Sequence, residues 1–297
     1  MAFIPIEDAD IARGRALRTE FARFWSTEQG QPRDVYDRFI SATPTADGVT
    51  VDDVTGEPGV WVRPAQTRPD AAVLFVHGGG YRQGSAHAYV GLVSQIAVRS
   101  GVAVFALEYP LAPESQLPEA LDLAVATLGR LSENHAAVAV VGDSAGGGLS
   151  LATVAEAHRV GVDAAAVAVF SPWTDLTLSG PSMREFAIGD PLLDPAYLRD
   201  CAIDYLGSAA PDDPRASPLF GPVDALPPVL IQVGTDEILL DDSTRFAEAV
   251  EKAGGTVQLE IWQGMHHVFQ LNVEELASAR RAVDNAADFL SAHLFSP

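Results

Sequence analysis

A single serine between glycines stands where a short apolar run ends and a helical pattern begins. Residues 138–141 read VAVV, residues 142–146 read GDSAG, and residues 147–155 read GGLSLATVA. This pattern predicts a strand, a sharp turn and a helix, with Ser144 at the turn and with Gly142 and Gly146 allowing the two elements to approach closely. A chance Gly-x-Ser-x-Gly would not also supply the strand and the helix. The stretch therefore predicts a serine nucleophile.

Two adjacent histidines follow a later apolar run. Residues 257–262 read VQLEIW and are followed by QGMHHVF. An imidazole is suited to take a proton from a serine and to return it later, because its pKa lies near the working pH. The mechanism alone leaves the base open between His266 and His267. Consecutive loop residues rarely bind one metal ion and no carboxylate and histidine cluster accompanies them, so no metal is expected.

Carboxylates follow the apolar run VLIQV at 229–233, where the chain continues as GTDEILLDD. A buried carboxylate is needed to fix the tautomer of the imidazole and to stabilise its charged form. Asp236 is the first acidic residue after this strand and is the predicted acid. Asp241 and Asp242 are predicted to begin the next helix, where a carboxylate interacts favourably with the helix dipole. The order along the chain is then serine, acid, histidine.

A glycine-rich segment follows another apolar run. Residues 73–76 read VLFV and residues 77–81 read HGGGY. Glycines let backbone N–H groups approach a ligand, and in this position they resemble the loop that stabilises an oxyanion in lipases and esterases.

These residues need a fold that gathers the ends of several strands. Continuous β-branched runs indicate strands covered on both faces, and helical patterns separate them, so the sequence predicts an α/β fold with a mostly parallel sheet. An antiparallel hairpin is predicted over 48–63 and an amphipathic helix over 8–28, the latter outside the core. Nearly sixty residues between Phe170 and Val229 predict a small helical insertion. We expect one domain over 1–297, with a cap from about 1–45 and 175–225.

Composition limits the classes of function. The 297 residues carry a formal net charge of −21, and such a surface repels phosphate backbones and anionic headgroups, so nucleic-acid and membrane binding are not expected. Cys201 is the only cysteine, which excludes an internal disulfide, and we expect an inert thiol. The first residues lack a signal-peptide pattern and no apolar stretch is long enough to span a bilayer, which favours a cytoplasmic protein. A homodimer is compatible with these features.

Taken together, the motifs resemble those of the hormone-sensitive-lipase-like carboxylesterases, the bacterial family IV of the α/β-hydrolase fold. The resemblance runs from about residue 71 to residue 297. It departs at the acid motif, which reads Asp-Glu-Ile where many members have Asp-Pro-Leu, and at Val268, where many have glycine. The matching segments are HGGG at 77–80, YPLAPE at 109–114, GDSAGG at 142–147, Asp236 with the leucines that follow, and GMHHVF at 264–269.

The resemblance implies a role for each matching position. Ser144 would be the nucleophile, Asp236 the acid and His267 the base, since Gly264, His267 and Phe269 match the family's Gly-x-x-His-x-Phe. His77 would orient the glycine loop. The oxyanion would be bound by the backbone N–H groups of Gly79, Gly80 and Ala145.

The function expected from this resemblance is hydrolysis of short- to medium-chain carboxylic esters through an acyl-enzyme, with a small-molecule ester as substrate and without a cofactor. One alternative is a lactone hydrolase or an N-acyl amide deacylase with the same triad, because residues 173–176 (WTDL) resemble a segment of lactone-hydrolysing relatives. A remote alternative is a non-catalytic ligand receptor. Resembling plant hormone receptors lack the histidine, which is present here.

Overall fold

A nine-stranded sheet forms the centre of the computed structural model, which describes residues 1–54, 56–184, 190 and 192–295. The strands lie in the order β1-β9-β8-β7-β6-β4-β5-β3-β2. All pairs are parallel except β5 with β3 and β3 with β2, so the antiparallel hairpin forms one edge. The predicted mostly parallel α/β sheet is confirmed. The strands are β1 (Ala2–Ile4), β2 (Val49–Asp53), β3 (Gly59–Pro64), β4 (Ala71–Val76), β5 (Ala103–Leu107), β6 (Ala137–Asp143), β7 (Ala166–Phe170), β8 (Val229–Gly234) and β9 (Val257–Trp262).

Eight helices surround the sheet in the described part of the chain. No helix among the described residues combines the length and the apolar character that crossing a membrane requires. The helices are α1 (Asp8–Thr27), α2 (Pro32–Ile40), α3 (Val90–Ser100), α4 (Glu119–Asn134), α5 (Ser144–Arg159), α6 (Pro195–Leu206), α7 (Leu240–Lys252) and α8 (Ala277–Leu294). Five of them, α3, α4, α5, α7 and α8, follow the predicted alternation of strands and helices.

Apolar side chains cover both faces of the sheet. Successive side chains of a strand point to opposite faces, so in β4 Leu74 and Val76 pack on one side and Val73 and Phe75 on the other. The first side is covered mainly by α4, α5 and α7, and the second by α3 and α8. Every residue of β4 is buried, which explains the unbroken apolar run in the sequence.

The N-terminal segment is more closely integrated than the sequence predicts. Ala2–Ile4 pairs in parallel with β9 and adds a strand to the sheet edge. Leu17 and Phe21 of α1 are 2% and 9% exposed and belong to the core on the side of α3 and α8. The expectation that this helix lies outside the core is therefore wrong, because its apolar stripe packs into the core. Helix α2 follows it and was not predicted from the sequence.

In its described residues, the insertion between β7 and β8 contains α6 and two short 3-10 helices at Pro181–Arg184 and Pro218–Phe220. Helix α6 begins at Pro195, and the Asp194 side chain caps it by accepting hydrogen bonds from the N–H groups of Ala196 and Tyr197. Residues 185–189 and 191 of the predicted cap lie outside the described residues. The division into one domain and a two-part cap stays a prediction.

Candidate active site

Ser144 lies at the sharp turn between β6 and α5, as predicted. Its φ of 52° is in the left-handed region of backbone conformation. This region is unfavourable for residues other than glycine and is typical of the serine in a nucleophile elbow. The neighbouring positions have no room for a side chain, so they require glycine. A Cβ on Gly142 would lie 2.4 Å from the carbonyl oxygen of Gly146, and one on Gly146 would lie 2.2 Å from the carbonyl oxygen of Val76. Small residues at these positions let the strand and the helix meet at the serine.

His267 is the histidine that faces the serine. Its Nε2 lies 3.0 Å from Ser144 Oγ, and its Nδ1 lies 2.6 Å from Glu237 Oε2. Because a carboxylate only accepts, Nδ1 carries the proton and Nε2 is free to accept from the serine hydroxyl. The predicted choice of His267 over His266 fits this geometry.

The carboxylate of the site is Glu237, and the prediction of Asp236 is wrong in this structure. Glu237 is fully buried, and besides binding His267 it accepts hydrogen bonds at Oε1 from Gly234 N (2.7 Å) and Ser171 Oγ (2.8 Å). Ser171 in turn accepts a hydrogen bond from the N–H of Val268 (3.1 Å). This bond joins Glu237 to the histidine loop, the segment after β9 that carries His266 and His267. These bonds satisfy a buried charge that would otherwise be costly.

Asp236 points away from the histidine. One of its carboxylate oxygens pairs with the guanidinium of Arg18 on α1, and the other accepts from Thr235 Oγ1 at 2.8 Å. The order of residues after the strand was a poor guide, because adjacent side chains on a loop point in different directions. The leucine of the family motif gives a better signal: with Glu237 as the acid, Glu237-Ile238-Leu239 places Leu239 where Asp-Pro-Leu has its leucine.

His266 is buried beside the site and does not touch the serine. Its Nε2 lies 3.0 Å from Asn272 Oδ1, and its ring meets the Phe21 ring edge to face at 5.2 Å. Burial lowers the pKa of His266 to about 4, so its ring is neutral at ordinary pH. This side chain packs against the N-terminal helix.

The glycine loop lies at the same end of the sheet. Gly79 and Gly80 have φ of 115° and 62° and line the cavity that contains Ser144. Ala145 is the second residue of α5, where a helical N–H has no partner within the helix. Among the described residues, no hydrogen bond uses the N–H groups of these three. They are thus free to donate to a bound oxyanion, in agreement with their predicted role.

A chain of polar side chains fixes this loop. Asp143 accepts from the N–H of Gly78 and from the hydroxyl of Tyr89, both at 2.9 Å, and the Tyr89 hydroxyl lies 2.9 Å from that of Tyr36 on α2. Burial raises the pKa of Asp143 to about 7, although both hydrogen bonds oppose the shift. The sequence pattern does not predict a role for these three residues, and only Asp143 lies in a motif, GDSAG at 142–146, that could suggest one.

His77 contacts the glycine loop at residues 78–80 and holds it in place, as predicted. Its ring stacks on Tyr109 with centroids 4.2 Å apart, and its Nδ1 lies 2.8 Å from the carbonyl oxygen of Gly78. Burial lowers its pKa to about 4, so a neutral ring donates this hydrogen bond.

A cavity of about 280 Å³ opens onto Ser144 and His267. It is lined largely by apolar side chains from the N-terminal helices, α6 and the loop after β9. This volume lies just below the usual range for ligand sites, which is roughly 300–1,000 Å³. The apolar lining comprises Trp25, Tyr36, Phe39, Ile40, Leu192, Leu193, Tyr197, Leu198, Val268 and Leu271.

The segment 173–176, which resembles a segment of lactone-hydrolysing relatives, is buried in the interior of the protein. Trp173, Thr174 and Asp175 are fully buried, and Asp242 accepts hydrogen bonds from the N–H groups of Thr174 (2.8 Å) and Asp175 (2.9 Å). None of these residues lines the cavity at Ser144. The resemblance to lactone-hydrolysing relatives therefore rests on residues that pack the interior.

Opposing effects act on the pKa of His267. Burial disfavours the charged imidazolium and lowers this pKa, but the hydrogen bond to Glu237 and the negative charges of Glu237, Asp190 and Asp143 raise it. The net result is a pKa above the ordinary value of 6.5. The carboxylates therefore make His267 a stronger base and stabilise it when it takes a proton.

Comparison with known proteins agrees with this fold. Residues 73–271 match a family model described as the alpha/beta hydrolase fold. The chain is 40% identical to a Streptomyces hygroscopicus protein named acetyl-hydrolase, over 90% of this chain and 92% of that protein. It is 35% identical to an Acinetobacter venetianus esterase, over 76% of each chain.

The structure also resembles solved esterases. A crystal structure of an esterase from the bacterial hormone-sensitive lipase family superposes with a TM-score of 0.89 at 31% identity, covering 95% of this chain and 98% of that one. The fold, the serine and histidine motifs and these likenesses lead to one conclusion. The chain belongs to the α/β-hydrolase family, as a carboxylesterase of the bacterial hormone-sensitive-lipase type.

Proposed function

We propose that Ser144, His267 and Glu237 form the catalytic triad of this esterase. The continuous hydrogen-bonded chain of 3.0 Å and 2.6 Å through these three side chains is the observation that carries the assignment. Nε2 of His267 takes the hydroxyl proton as Ser144 Oγ attacks the ester carbonyl. Glu237 holds the ring in the tautomer that leaves Nε2 free, and it stabilises the imidazolium that forms.

The oxyanion of the tetrahedral intermediate is bound by the N–H groups of Gly79, Gly80 and Ala145. Collapse of this intermediate breaks the ester C–O bond, and the His267 imidazolium gives its proton to the leaving alcohol. Water then attacks the acyl-enzyme and passes a proton to His267. Collapse of the second tetrahedral intermediate breaks the bond between the acyl carbon and Ser144 Oγ, the imidazolium returns its proton to Oγ, and the acid is released. Every proton in this cycle is moved by His267, and the cycle uses no metal or organic cofactor.

The substrate class we propose is a small ester with a short to medium acyl chain. The cavity of about 280 Å³ and its apolar wall support this size. The Streptomyces hygroscopicus relative bears the name acetyl-hydrolase, which fits a short acyl group. A cytoplasmic location and a homodimer stay predictions from the sequence.

The triad assignment is tested by replacing Ser144 with alanine. We expect p-nitrophenyl acetate hydrolysis to fall to at most the residual acceleration of about 10³–10⁴ over water that binding and an oxyanion hole supply. A fluorophosphonate probe should label Ser144 in the native chain and nothing in Ser144→Ala. Turnover above that residual, or labelling elsewhere, would contradict the assignment.

A second comparison separates the two histidines. His267→Gln should cost about as much as Ser144→Ala, because members of a triad act as one unit. His266→Ala should cost roughly tenfold or less, since His266 contacts Asn272 and Phe21 and does not touch Ser144. The opposite ranking would make His266 the base. The same assays with a lactone and an N-acetyl amide at equal concentration compare the ester with the alternative substrates.

A further inference from the structure

Asp236, which precedes the triad carboxylate by one residue, binds the N-terminal helix. Its Oδ2 accepts from Nη2 of Arg18, a residue 218 positions away in the sequence. The side chains of Arg18 and Asp236 are only 16% and 28% exposed, so solvent screens this ion pair less than a surface pair. The contact joins helix α1 directly to the loop that carries Glu237.

The same face of α1 lies along the histidine loop. Ile11, Gly14, Arg18 and Phe21 are spaced by three, four and three residues, which places them on one side of a helix. Three of them meet the segment before His267. A Cβ added to Gly264 would lie 3.2 Å from Ile11, one added to Gly14 would lie 3.3 Å from the Met265 side chain, and the Phe21 ring contacts His266.

Hydrogen bonds also connect the histidine loop with the acid loop, the segment after β8 that carries Asp236 and Glu237. The N–H of Asp236 donates to the carbonyl oxygen of Met265 at 3.0 Å. Thr235 Oγ1 donates to Asp236 Oδ1 and accepts from the N–H of Gly264, both at 2.8 Å. The Arg18 guanidinium therefore ends a network that connects α1 with the two loops bearing Glu237 and His267.

We propose that Arg18 is a positioning residue for ester hydrolysis, which acts through Asp236 to fix the acid loop against the histidine loop. This proposal rests on the proposed triad. The 2.6 Å bond from His267 to Glu237 depends on the relative placement of these loops, because each side chain comes from a different one. A triad is sensitive to displacements well below 1 Å, so a loosened contact lowers the rate even though no reacting group is removed.

The test is a double-mutant cycle with Arg18→Gln, Asp236→Asn and the double variant. We expect each single variant to lower kcat for p-nitrophenyl acetate roughly three- to tenfold with KM within about twofold of the native value. The double variant should be no worse than the poorer single variant, because both substitutions break the same contact. Arg18→Lys keeps the charge and should recover part of the loss.

A matched control is Arg13→Gln on the same helix. Arg13 pairs with Glu20 on the solvent side, with side chains 36% and 48% exposed, so this variant should keep kcat. Circular dichroism at the assay temperature shows that each variant is folded.

Native kcat in both single variants would overturn the proposal, as would losses that multiply in the double variant or no recovery in Arg18→Lys. Failure of the proposed triad would be recognised separately, by an active Ser144→Ala variant.

Discussion

At the scale of single residues, the site depends on which of two adjacent carboxylates meets the histidine. Glu237→Gln keeps the size of the side chain but removes the charge that holds the His267 tautomer. We expect kcat to fall by roughly 10³–10⁴, as for the acids of other triads. Asp236→Asn should cost about tenfold or less, because that carboxylate binds Arg18. Steady-state assays of the two variants measure the two losses of kcat. A larger loss in Asp236→Asn than in Glu237→Gln would restore Asp236 as the acid of the triad.

The pKa of His267 sets the pH dependence of the reaction. Catalysis needs the neutral imidazole, so activity is present above this pKa and is lost as the pH falls through it. Because the net effect of Glu237, Asp190 and Asp143 raises the pKa above 6.5, the acid limb of the kcat/KM profile should lie above pH 6.5. The residual activity of Glu237→Gln should show an acid limb at lower pH. An acid limb well below pH 6.5 in the native enzyme would contradict the role of these carboxylates.

At the scale of elements, α1 contributes both to the core and to the site. Leu17 is 2% exposed and packs with the core on the α3 and α8 side, so Leu17→Ala should lower the free energy of unfolding by roughly 2–5 kcal/mol. Thr19→Ala changes an exposed residue of the same helix and should change that free energy by about 0.5 kcal/mol or less. Urea denaturation of both variants tests this. A loss below about 0.5 kcal/mol for Leu17→Ala would show that α1 is only loosely attached.

At the scale of the whole molecule, the size of the cavity limits the substrate. The cavity of about 280 Å³ that is lined by the N-terminal helices, α6 and the loop after β9 favours a substrate with a short acyl chain. We expect kcat/KM for p-nitrophenyl esters to decline as the acyl chain is lengthened, and emulsified long-chain triglyceride to be a poor substrate. A kcat/KM that rises steadily with acyl chains longer than about ten carbons would contradict a cavity that limits the length of the acyl chain.

The sequence by itself determined the features that depend on adjacent residues. A turn as tight as that at Ser144 needs small neighbours, and Gly142 and Gly146 identify it without any tertiary information. Buried strands need continuous apolar runs, so the parallel sheet could be predicted, and the ends of its strands gave the glycine loop and the histidine loop.

Only the tertiary structure decided the features that depend on distant partners. Whether Asp236 or Glu237 turns toward His267 is settled by Arg18, which binds Asp236 from 218 residues away, and by Ser171, which binds Glu237 from 66 residues away. The strand Ala2–Ile4 is likewise too short to give a sequence pattern and exists because it pairs with β9. In both cases the deciding energy comes from contacts between segments that are remote in the chain, and the local sequence does not contain it.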